Sequence, residues 1–134
     1  MAYWLLKTEP TEFSFKDLEK EGKTRWDGVT NNLALKNLRS MKAGDHVLIY
    51  HSGTDRAIVG AARVASDPYL DPRADDPKFL VVDIVPESRF PKTVPLAAIK
   101  RSKDLTGFVL LRIPRLSVVP VTLDQWRTLI AMSR

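Results

Sequence analysis

HVLIYHSGTDRAIVGAARV, residues 46–64, decides the fold class. Two apolar stretches of strand length flank GTDR, whose glycine and aspartate suit a turn, so the segment predicts an antiparallel hairpin. Upstream, YWLLKT at 3–8 alternates as a strand and Pro10 ends it. Downstream, FLVVDIV at 79–85 has the character of a buried strand, and VLLRIPRLSVVPV at 109–121 predicts a strand that Pro114 and Pro120 confine to edges or bends.

Short helices fit between these strands. SFKDLEKEG has Ser14 as N-cap and Gly22 beyond its last turn. Leu33, Ala34, Leu38 and Met41 form a helical stripe over about 31–42, with Gly44 placed to close that helix in the left-handed region. PLAAIKRS predicts another short helix. Thr122 and Gln125 match a capping box that starts a final helix, whose Leu123, Trp126 and Ile130 should dock on the sheet. The proline- and aspartate-rich DPYLDPRADDPK should be a surface loop. Such a series lacks the regular βαβ repeat of a parallel sheet. The expected fold is α+β, a bent, mostly antiparallel β-barrel with flanking short helices, closed so that strand edges are hidden.

A chain of 134 residues is expected to be a single domain, residues 1–134. No apolar run approaches the roughly 18 residues that a membrane span needs, and MAYWLLKTEP is not a secretory signal, so no membrane partner is expected. The absence of cysteine excludes disulfides and thiolate chemistry and suits a reducing compartment, with a cytoplasmic location expected. The net charge of +5 is concentrated in the last third, where residues 87–134 carry nine Lys or Arg against three acids. Lys100, Arg101, Lys103, Arg112 and Arg115 lie close together there. A basic face of this kind attracts phosphate backbones or acidic partners, unless it is merely a solvated surface.

The residues that commonly carry catalysis are not arranged for it. No glycine spacing forms a phosphate cradle. His46 and His51 should point to opposite faces of one strand, and so should the neighbours His51 and Ser52, so neither pair makes a metal site or a nucleophile and base. Asp71, Asp75 and Asp76 fit solvated loop acids better than a cation site. No cofactor is expected. Trp26 is the more informative residue. In TRWDGVTNN, residues 24–32, it precedes Asp27 and Gly28 and comes just before Asn31 and Asn32. An indole face can stack a base and the amides can read its edge, or the ring can plug the barrel while the asparagines cap a helix.

Taken in order, YWLLKTEP, WDGVTNN, LRSMKAGDHVLIYHS, IVGAARV, PYLDP and RLSVVPVTLDQW resemble the EVE domain over nearly the whole chain. The resemblance implies a PUA-like fold related to the YTH reader domains, and recognition of modified bases in DNA or RNA by drawing the base into an aromatic-lined pocket. It implies reading rather than catalysis, since an altered base edge is accessible only outside the stack. Carried onto this chain, Trp26 would stack on the base, with Gly28 and Val29 beside it. Thr8, Asn31 and Ser52 would bond the base edge, Lys7 would hold a phosphate or a polar ring substituent, and His51, Tyr69 and Asp71 would shape the rim. Lys7 and Thr8 can reach one pocket only if their strand ends or bends there. The chain departs from the family pattern at Thr30, where an arginine is usual, at Asn32, where an aromatic is usual, and at Thr8, where a serine is usual. The missing arginine removes a charged fork suited to phosphate or a purine edge, which leaves room for a ligand other than that of close relatives.

The expected function is a non-enzymatic module that reads a modified base, such as a methylated cytosine or adenine, more in DNA than in RNA. An enzyme acting on a nucleotide or modified base through Ser52, His51 or Asp71, and a protein-interaction module with a basic face, are the alternatives.

Overall fold

The computed structural model describes every residue from Met1 to Arg134. In chain order the elements are β1 (Tyr3–Thr8), α1 (Phe15–Glu21), β2 (Thr24–Trp26), α2 (Asn32–Arg39), β3 (His46–His51) and β4 (Ala57–Val64). They continue as β5 (Tyr69–Leu70), β6 (Leu80–Pro95), α3 (Leu96–Arg101), α4 (Val109–Arg112), β7 (Val118–Val121) and α5 (Leu123–Met132), with a single 3-10 turn at Lys103–Leu105. No helix is long and apolar enough to cross a membrane.

The hairpin forms as expected: β3 and β4 pair antiparallel, with His51 opposite Ala57. Around it the sheet runs β2-β6-β4-β3-β1-β7, and β5 adds to β6. Only β1 and β3 are parallel; every other pair is antiparallel. Register shifts at Ile49/Tyr50, Ile58/Gly60 and Ala61/Ala62 curl the sheet, because each bulge bends its strand and increases the local twist. Gly60 lies in this curl for a steric reason. A Cβ there would come within 2.6 Å of Phe15 Cζ and 2.8 Å of the Ser88 carbonyl oxygen.

The sheet is a half-barrel rather than a closed one. Its path ends at β2 and β7, and α2 packs against both β6 and β7 across the opening. The bent, mostly antiparallel barrel that was expected takes this half-barrel form, and a helix fills its gap, with Ala34, Leu35 and Leu38 turned inward. Leu5, Leu6, Leu48, Ile58, Ile84 and Phe108 are fully buried between sheet and helices.

Local signals set several boundaries. Ser14 and Asp17 form a reciprocal capping box on α1, which ends at Gly22 with φ 75°. Thr122 and Gln125 do the same for α5. Other expectations are corrected. Residues 109–112 form a helix, not a strand, and β7 begins only at Val118. Pro120 is tolerated there because β7 is an edge strand that can lack one donor. Helix α2 stops at Ser40, so Gly44 (φ 94°) belongs to the following turn and does not close the helix. Leu33 and Leu123 face solvent, while Leu129 is the buried contact of α5. Trp126 is half-buried, 5.1 Å from the Tyr3 ring and 5.4 Å from His46. Inside the 67–78 loop, Tyr69–Leu70 pairs with Val81 and Leu80.

Asp45 is the one deeply buried carboxylate, and its oxygens accept from Trp4 Nε1 (3.0 Å), Ala2 N (3.1 Å) and Lys42 N (2.9 Å). It joins the start of β1 to the turn before β3.

Candidate nucleic-acid interface

The first candidate ligand site is a cleft of about 490 Å³ at the C-terminal end of β1, within the size range of small-ligand sites. Lys7, Thr8 and Glu9 form one side, and Thr24 to Gly28 form the other. Glu12, Phe13 and Glu21 complete it. Lys7 and Thr8 do share a cleft, as a strand ending there requires: β1 stops at Thr8, and the chain turns through Pro10 into α1. Thr8 donates its hydroxyl to the Phe13 carbonyl at 2.6 Å, which ties the end of β1 to the turn before α1.

Trp26 is the last residue of β2 and lies opposite Val82 of β6. The residues around it allowed either a stacking wall or a ring plugging the barrel; Trp26 is only 8% exposed, so it is largely part of the core. Pairing with β6 draws it into the sheet, and Phe13 meets it edge-on at 6.1 Å and 85°. Trp26 is nonetheless one of the residues that line the cleft. Gly28, at φ 76°, has the left-handed backbone that turns the chain away just beyond the ring.

The cleft carries Glu9, Glu12, Glu21 and Asp27 against Lys7 and Arg25, so acceptors outnumber cations. Some of these groups are already engaged. Glu9 accepts from Thr11 N and Oγ1, both at 3.1 Å, and Asp27 is paired with the Arg73 guanidinium. Arg73 also bonds Asp71, whose carboxyl is held below its ordinary range chiefly by the Arg73 backbone N–H. Asp71 thus reaches the cleft only through Arg73 and Asp27. Tyr69 donates its hydroxyl to Asp83 at 2.6 Å and accepts from Arg25 Nε at 3.4 Å; the Asp83 bond and burial hold that hydroxyl above its ordinary value.

The other expected base contacts have structural partners. Asn31 caps α2, its Oδ1 accepting from Ala34 N at 3.0 Å. Val29 is buried in the core. His51 Nε2 accepts from Phe15 N at 3.0 Å, and burial pushes its imidazole below the ordinary value. Ser52 donates to the Thr8 carbonyl at 3.3 Å. His51, Ser52 and Asp71 make no hydrogen bond with one another. Phe13, Glu12 and Glu21 are cleft residues that sequence reasoning missed, since they come from the turn before α1 and from its end.

A second cavity of about 420 Å³ lies on the other side of Lys7. Lys100 and Arg115 from the basic C-terminal region line it, together with Ser52 and Arg56. Arg101 instead borders a shallow groove beside α5, and Lys103 and Arg112 are exposed away from both cavities.

Comparison with known proteins follows the same fold. The EVE domain model matches residues 2–132. Human thymocyte nuclear protein 1 is 30% identical over 159 residues, covering 93% of this chain and 71% of the relative. Its crystal structure in complex with DNA containing 5-methylcytosine superposes with a TM-score of 0.91 at 27% identity, covering 100% of this chain and 98% of that one. A protein of Agrobacterium tumefaciens superposes with a TM-score of 0.96 at 34% identity, over 99% of this chain and 93% of that one. The YTH domain of a Zygosaccharomyces rouxii protein, solved with N6-methyladenosine RNA, shares the fold at a TM-score of 0.63 and 12% identity, over 99% and 86% of the two chains. A curled mixed half-barrel with short flanking helices is thus common to all of them, and the chain belongs to the EVE domain family.

Proposed function

We propose that residues 1–134 act as one non-enzymatic domain that takes a modified base, most readily a methylated cytosine in DNA, into the cleft beside Trp26. The observation that carries this reading is the cleft itself, lined by an indole with an edge-on phenyl ring and by the carboxylates of Glu9, Glu12, Glu21 and Asp27. Aromatic surface holds the flat ring and rewards a methyl group, while a carboxylate accepts from the exocyclic amine of cytosine or adenine. The same acids repel phosphate, so the strand backbone stays outside the cleft, where Lys100 and Arg115, with Arg101, Lys103 and Arg112 further off, attract it. Human thymocyte nuclear protein 1, solved with 5-methylcytosine DNA, supports this choice of ligand.

Titration of short duplexes with and without 5-methylcytosine tests the proposal. Wild-type protein should prefer the methylated duplex, and its affinity should fall steeply as salt rises. Trp26→Phe, which keeps an aromatic ring in the core, should lose most of that preference while staying folded. Equal affinity for both duplexes in the wild-type protein overturns the reading.

A further inference from the structure

Lys7 lies between two cavities of opposite character. On one side is the acid-rich cleft; on the other, the lining cations are Lys7, Arg56, Lys100 and Arg115, with no carboxylate among the lining residues. None of these four cations makes an ion pair with an acid of this chain. Lys7 donates to the Pro114 carbonyl at 2.6 Å and lies 5.7 Å from the Tyr50 ring centre. Burial lowers the pKa of its ammonium, which means that the folded chain leaves this charge short of compensation.

Folded elements form part of the cavity's lining, and the exposed side chains of Arg56, Lys100 and Arg115 add to it. Tyr50, nearly fully buried on β3, and Leu110, buried on α4, form apolar lining. Arg56 sits at φ 43°, a left-handed conformation uncommon for a residue with a β-carbon. Its backbone is held there by the Leu96 N–H, which donates to the Arg56 carbonyl at 2.8 Å, and its Nε donates to the Gly53 carbonyl at 3.3 Å. Backbone strain kept in place beside a cavity is a mark of a working site.

We propose that this second cavity is a phosphate-ester site, in which the guanidinium and ammonium groups of Arg56, Lys100, Arg115 and Lys7 hold the phosphate and the apolar lining receives the organic body. Two arginines favour a tetrahedral oxyanion with several acceptors, since each guanidinium presents parallel N–H donors. The half-buried Leu96 and Leu111, which also line the cavity, favour an ester over bare phosphate. The site takes either a free nucleotide or one phosphodiester of a bound strand. It stands on the cavity's own geometry and holds whether or not the cleft reads a base.

Deoxycytidine 5′-monophosphate, deoxycytidine and inorganic phosphate are the probes, followed by amide chemical shifts. The nucleotide should shift Tyr50, Leu110 and their neighbours, and deoxycytidine should not. Lys100→Ala with Arg115→Ala should weaken the nucleotide by at least about tenfold, while Arg115→Lys retains part of the binding. An oligothymidylate that displaces the nucleotide identifies the strand backbone as the natural source; failure to displace identifies a free phosphate ester. Shifts confined to Asp27 and Gly28, equal binding by wild type and a folded double variant, or no binding below about 10 mM overturn the proposal.

Discussion

His51 and Phe15 are joined across 36 residues by a hydrogen bond in which the Phe15 backbone N–H donates to imidazole Nε2 at 3.0 Å. This bond satisfies an otherwise free donor at the first residue of α1, and it needs an unprotonated nitrogen. Burial depresses the imidazole below its ordinary value of 6.5, with Asp55 and Glu9 opposing that shift. The unfolded chain therefore takes up the proton first as pH falls. Stability should be level above that value and decline below it until the folded imidazole also titrates. His51→Gln keeps an acceptor without the titration. Urea midpoints at pH 7 and pH 5 should differ less for this variant than for wild type.

Asp45 should be the most costly polar side chain to remove. Truncation to alanine leaves the buried Trp4 indole N–H and two backbone donors without partners, a loss of about 3 kcal/mol. Asp45→Asn keeps one acceptor and should lose less. Chemical denaturation of both variants checks the order, and a smaller loss for alanine contradicts the account.

Gly60→Ala tests the packing of α1 on the curled sheet. The added methyl would press on the Phe15 ring and on the backbone oxygen of Ser88, and the latter cannot swing aside. A destabilisation of about 1–3 kcal/mol is expected. Trimming the ring with Phe15→Leu should not rescue it fully, because the backbone contact remains. Full recovery in the double variant would place the whole clash on the ring.

Arg73→Ala releases Asp27 at the cleft and Asp71 in the loop together. The Asp27 pair is solvent-exposed and the Asp71 contact is long at 3.5 Å, so the melting temperature should hardly move. The freed Asp27 carboxylate adds an unneutralised negative charge to the cleft, so oligonucleotide affinity at low salt should fall by less than about tenfold and recover toward wild type as salt is added. A large drop in melting temperature would show that Arg73 is structural instead.

The fold was legible where the deciding contacts are local. Ser14 and Thr122 each cap a helix through a residue three positions on, and the 46–64 hairpin closes over a few residues. It was not legible where a partner lies far away. β2 has only three residues and becomes a strand because Val82 to Ile84 lie alongside, which is also why Trp26 is more buried than its polar neighbours suggest. Residues 109–112 are a short apolar run that suits strand or helix equally until tertiary packing decides. At the candidate site, Lys7, Thr8, Trp26 and Gly28 do line one cleft. Asn31 Oδ1, His51 Nε2 and the Tyr69 hydroxyl each already bond within the chain, and a sequence does not display such bonds.

The placement of β1 has a consequence for how the molecule is made. Its neighbours are β3, some forty residues later, and β7, which ends at Val121, so Leu5 and Leu6 stay unflanked on one side until Val118–Val121 has emerged from the ribosome. Assembly must be slow and late compared with a chain whose strands join their nearest neighbours. Truncation before Val118 would leave a bare apolar strand edge, and the resulting species should self-associate rather than persist as a smaller soluble fragment.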